Sequence, residues 1–102
     1  MVKLIESNLS KIKAICVKHS VEELYLFGSA ATGNFTSASD LDFVVVFSDK
    51  LNPIEHGEAF FNLKDDLEEL FKLPVDLLTY RALKNPIFRA ELDNQKVVLY
   101  AA

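Results

Sequence analysis

The sequence predicts an α+β fold of two layers (two-layer αβ), a small mixed β-sheet with helices packed on it. Three observations carry this reading. Two stretches repeat apolar residues at helical spacing, three short apolar runs read as strands, and the links between them are short. The whole chain, residues 1–102, reads as a single domain with one core, small enough that homo- or hetero-oligomeric partners matter for stability.

The elements follow in order. Ile5, Leu9, Ile12 and Cys16 recur at spacings of four, three and four, so residues 3 to 19 read as one amphipathic helix with Lys3, Glu6, Lys13 and Lys18 outside. Leu24 to Phe27 is the first strand, Ser29 to Thr32 a short helical turn, and Gly33 to Ser39 a polar loop with turn chemistry. Phe43 to Phe47 is apolar at every position, which marks a central strand covered on both sides or paired within a larger assembly. Ser48 to Pro53 is a connection. Ala59, Phe60, Leu63, Leu67, Leu70 and Phe71 mark a second helix, closed off by Pro74. Val75 to Thr79 is a third strand, broken by the charge of Asp76. Ala82 to Leu92 reads as one or two short helical pieces interrupted at Asn85-Pro86, and Val97 to Tyr100 as a short last strand.

Composition narrows the function. The net charge is −4 and no dense Lys/Arg block exists, so a long nucleic acid is a poor candidate for the main ligand. No stretch approaches the roughly 20 apolar residues of a membrane span, and the N-terminus lacks the pattern of a signal peptide. A cytoplasmic protein is the default. The lone Cys16 reads as a small buried apolar group, and His19 and His56, without partners at ligand spacing, read as surface residues.

Chemistry concentrates between Leu24 and Phe47. Gly28 and Ser29 leave the first strand, where backbone N–H groups and a hydroxyl can meet phosphate oxygens; Ser29 as a simple helix cap uses the same geometry. Asp40 and Asp42, two apart at the start of a strand, present both carboxylates on one face while Leu41 and Phe43 point to the core. Such a pair repels itself unless a cation sits between, and hard oxygen ligands suit Mg²⁺ held jointly with substrate phosphates. If Asp76 lies on a neighbouring strand, it adds a third acid. Taken alone, an Asp-x-Asp pair is often a solvated loop end; the Gly-Ser turn, the apolar strand and the third acid give it context.

In these residues the chain resembles the minimal nucleotidyltransferases of the DNA polymerase β superfamily, of the MntA-like kind that act as antitoxin partners of HEPN-domain toxins. The resemblance spans essentially the whole chain. Its core is FGSAATGNFTSASDLDFVVVF, VDLLT supplies the third acid, and ALKNPIFRAELDNQKVVLY is similar to the tail of small members. It implies a polymerase β palm-like fold and transfer of a nucleoside monophosphate, most often from ATP, to an acceptor hydroxyl with release of pyrophosphate. For antitoxin members that acceptor is a tyrosine of the partner toxin. By the same resemblance Gly28 and Ser29 hold the β and γ phosphates, Asp40 and Asp42 ligate two Mg²⁺ ions, and Asp76 completes one metal site and helps deprotonate the acceptor.

One departure stands out. Active members commonly carry a basic residue shortly after Gly-Ser, and here the segment is Ala30, Ala31, Thr32. Loss of one charge-assisted hydrogen bond lowers triphosphate affinity about ten- to a hundredfold. Arg81, Lys84 and Arg89 are the candidates to replace the charge. The alternative reading is a catalytically weak or inactive module of the same fold that neutralises a partner by occlusion.

Overall fold

The computed structural model describes residues 3–33 and 40–102; residues 34–39, most of the expected polar loop, lie outside the described residues. The helical pattern over 3–19 is realised as two helices, α1 (Lys3–Glu6) and α2 (Leu9–Lys18). The break has a local cause. Ser7 Oγ donates to the Lys3 carbonyl and Asn8 Nδ2 to the Leu4 carbonyl, each at 2.8 Å, so polar side chains compete for the acceptors of the preceding turn.

Strand β1 (Val21–Phe27) begins three residues before the apolar run that predicts it, because Val21 is buried and pairs with Phe47. The one-turn helix α3 (Ser29–Thr32) follows, then β2 (Leu41–Phe47). Helix α4 (Pro53–Phe71) starts at its proline. Asn52 Oδ1 accepts the Glu55 N–H at 2.8 Å while Glu55 Oε1 accepts the Asn52 N–H at 3.0 Å, a reciprocal capping box ahead of a Pro whose missing N–H costs nothing there. Strand β3 (Val75–Thr79) leads into a 3-10 turn, Tyr80–Ala82. Helix α5 (Pro86–Gln95) is capped by Asn85, so the interruption read at Asn85-Pro86 is a helix start; β4 (Val97–Ala101) ends the chain.

The four strands lie in the order β3-β2-β1-β4, with β1 antiparallel to both neighbours and β2 parallel to β3. The two-sided apolarity of β2 follows from this central place. Leu41, Phe43, Val45 and Phe47 join the main core with Ile5, Ile12, Cys16, Leu63, Leu67 and Phe71 from α1, α2 and α4. On the opposite face, Val44 packs with Tyr25 and with Leu92 of α5. Cys16 is fully buried as expected, and burial pushes its thiol up to about 12, which keeps it protonated and unreactive. His19 departs from the surface reading. Its side chain is only 10% exposed and its Nε2 lies 2.6 Å from Asp66 Oδ2, with Lys18 Nζ 3.2 Å from the same oxygen, so the end of α2 is tied to α4. Among the described residues no helix is long and apolar enough to cross a membrane.

Candidate active site

The parallel pairing of β2 with β3 assembles the acids. Asp42 and Asp76 are register partners, so their Cα atoms stand one strand spacing apart, about 4.8 Å. Neighbours Phe43 and Leu77, also register partners, are both buried in the main core, which turns both aspartates to the other face. Asp40 precedes β2 by one residue and is exposed; Asp76 is exposed as well, and Asp42 is half-buried between them. Its carboxyl is pushed above the usual aspartate range, first by burial, then by the charges of Asp76 and Asp40. The three acids therefore share one electrostatic site.

Gly28 forms the other wall. Phe27 is the register partner of Asp42, and the chain leaves β1 at Gly28 with φ +70° and ψ −153°, a conformation essentially restricted to glycine. Steric demand points the same way. A Cβ at Gly28 would overlap Asp42 Oδ2 and stand 3.2 Å from its Cγ. Its carbonyl accepts the N–H groups of Ala31 and Thr32, each at 3.1 Å, which starts α3 directly at the strand end with Ser29 as its first residue. Ala30, fully buried, locks that turn to the core, and Thr32 is the exposed position of the segment.

Among the described residues, no cation pairs with any of the three carboxylates. Two of the three cations considered as substitutes are placed elsewhere. Arg89 stacks over the Tyr80 ring at 4.5 Å and donates from Nη2 to the Tyr80 carbonyl at 3.1 Å. Arg81 follows β3 at the opposite end of the strands from Asp76, and Lys84 is exposed. Local spacing carried no signal for where Arg89 would be anchored. The site is thus a negatively charged strand end next to a strand-exit turn, chemistry that fits a hard divalent cation carried with phosphates. Among the described residues no three His, Cys, Asp or Glu side chains gather closely enough to hold a metal ion, so the three acids form no protein cage by themselves. A cage is not required where substrate phosphates complete the shell.

Over residues 10–102 the chain matches the model of the polymerase beta nucleotidyltransferase family. It belongs to that family. Among its relatives, the Methanocaldococcus jannaschii protein named "Putative protein adenylyltransferase MJ1379" is 32% identical over 97 residues, 87% of this chain and 95% of the relative. Two solved structures share the nucleotidyltransferase fold at TM-score 0.72. One, a toxin-antitoxin crystallised with AMP-PNP, is 26% identical and is matched over 93% of this chain and 74% of its own. The other is described as a minimal nucleotidyltransferase, 27% identical over 90% of this chain and 89% of its own. The chain is a nucleotidyltransferase of the minimal polymerase β type, an enzyme class that the resemblance in its motifs had implied.

Proposed function

We propose that this nucleotidyltransferase moves AMP from ATP to a tyrosine hydroxyl of a HEPN-domain toxin and so acts as that toxin's antitoxin. The observation that carries the chemistry is the Asp42–Asp76 register pair facing the Gly28 turn, with Asp40 alongside and no protein cation to neutralise them. The partner rests on the toxin-antitoxin likeness and on the sequence resemblance.

Each residue has a task. Ser29 and the Gly28 turn hold the β and γ phosphates, and the absence of a Cβ at Gly28 lets the triphosphate approach Asp42. Asp40 and Asp42 would hold Mg²⁺, with Asp76 completing one of two sites. When bound, the metal supplies charge neutralisation at the phosphates and a lowered proton affinity for the acceptor hydroxyl. Asp76, on the far side of Asp42 from Gly28, would receive the acceptor's proton. The acceptor oxygen bonds to the α-phosphorus as the bond to the pyrophosphate oxygen breaks.

The test is to incubate the protein with ATP, MgCl₂ and its partner toxin and to record intact masses. An adenylyl adduct on the toxin is expected, reduced at least a hundredfold in rate for Asp42→Asn, since several kcal/mol of transition-state stabilisation are removed. No adduct, or a mutant equal to wild type, overturns the proposal.

A second reading is favoured by the uncharged Ala30–Thr32 segment. There the protein neutralises its partner by occlusion alone, and neutralisation survives Asp40→Asn and Asp42→Asn. Thr32→Arg separates the two. In a working enzyme it raises triphosphate affinity about tenfold by restoring a charge-assisted contact at the exposed position of the turn; in an occluding module it changes nothing.

A further inference from the structure

Helices α2 and α4 cover the same face of the sheet, where Ile12 and Cys16 of one and Leu63, Leu67 and Phe71 of the other share the main core. Their outer faces are bare and opposite in charge. On α4, Ile54, Glu58, Phe61 and Asp65 recur at spacings of four, three and four, which places them on one stripe, and all are exposed. On α2, Ser10, Ala14 and Val17 recur at four and three, with Lys13 beside them and Lys11 and Lys18 on the flank, and these too are exposed. Of the five large apolar side chains exposed among the described residues, three lie on these two stripes: Ile54 at 75%, Phe61 at 66% and Val17 at 67%.

The charges divide by helix. Helix α2 carries three lysines and no acid, whereas α4 carries six acids and one lysine, Lys64, half-buried beside the stripe. The residues that precede each helix cancel, Lys3 against Glu6 and Asp49 against Lys50. Several charges have partners within the chain. Lys18 pairs with Asp66 and Lys72 with Glu69, Glu55 caps its own helix, and Glu68 accepts the Val75 N–H at 3.1 Å. On the outer faces that leaves Lys11 and Lys13 on α2 and Glu58 and Asp65 on α4, with no ion pair among the described residues.

We propose that these two faces form one interface, occupied by a second copy of this chain, in which a two-fold axis lays α2 of each copy on α4 of the other. Ile54 and Phe61 cover Val17 and the small Ser10 and Ala14, and Lys11 and Lys13 meet Glu58 and Asp65. The signs select the occupant. A foreign surface of one sign would match one helix and oppose its neighbour, whereas a second copy matches both, and the two-fold axis makes every contact twice. The three acids face the other side of the sheet, so both candidate active sites stay open in the dimer, and the inference stands whether or not they catalyse.

The test is sedimentation equilibrium of the full chain from micromolar to millimolar concentration. A reversible monomer–dimer equilibrium is expected. Lys11→Glu with Lys13→Glu should weaken it at least about tenfold, and Glu58→Lys with Asp65→Lys equally, because each pair of changes sets like charges across both halves of the interface. Phe61→Ser should weaken it by about tenfold through lost apolar burial. Mixing the two charge-reversed variants should restore dimers, since α2 of either then meets opposite charge on α4 of the other. All these positions are exposed, and far-UV circular dichroism reports that the folds are intact. A monomer at every concentration, reversed variants that associate like wild type, or a mixture that stays monomeric would overturn the proposal.

Discussion

At Gly28 two requirements meet: a positive φ that only glycine adopts readily, and a neighbour, Asp42, that leaves no room for a Cβ. Gly28→Ala should therefore lose about 1–3 kcal/mol of stability, read by urea melts, and lose triphosphate binding more steeply than stability. Asp42 is strained in the other sense. Burial and two like charges raise its pKa, so its ionised form opposes folding; that penalty is absent below the ordinary aspartate pKa, grows as pH rises from there to the folded value and is complete above it. Asn at this position should relieve the penalty while removing the proposed metal ligand.

The helices show how local chemistry and packing divide the work. In α4 the capping box and Pro53 define the start, and Leu63, Leu67 and Phe71 define the buried face. What packing adds is the bond from Asp66, on that helix, to His19 and Lys18. The Asp66 carboxyl is held below its usual range, chiefly by the His19 hydrogen bond. A depressed carboxylate stabilises above its unfolded pKa of about 3.9 and loses that contribution as pH falls through the folded value. Asp66→Asn should thus be less stable than wild type by about 0.5–1 kcal/mol above the ordinary aspartate range, with the difference closing as pH falls below that range in paired denaturant melts.

For the whole molecule, the sheet order β3-β2-β1-β4 makes β2 the organiser: it is paired on both sides and brings Asp42 beside Asp76 on one neighbour and beside the Gly28 turn that follows the other. The proposed function makes its negative end the point where metal, nucleotide and stability are linked. Mg²⁺ with ATP at a hundred times its dissociation constant should stabilise the fold by about 2.7 kcal/mol, a rise in Tm of about 10 °C or more for a chain of this size. Chelation with EDTA should return the midpoint to that of the protein alone, and neither ATP nor Mg²⁺ by itself should reproduce the full rise.

The helical and strand segments and the buried Cys16 were legible in the sequence, and of the candidate residues named there, Gly28, Ser29, Asp40, Asp42 and Asp76, the fold brings Gly28, Asp40, Asp42 and Asp76 together. Periodicity and turn chemistry are local properties, written within a few residues of where they act. Its misreadings were also local contests, as at Ser7 and Asn8, where side chains took the acceptors that one continuous helix would have used. Only the tertiary structure decided that Asp76 faces Asp42 and that Arg89 is held by Tyr80 away from the acids. Each depends on which strand lies beside which and in what register, and that is set by burying both faces of β2 at once, a condition on the whole chain that no local segment contains.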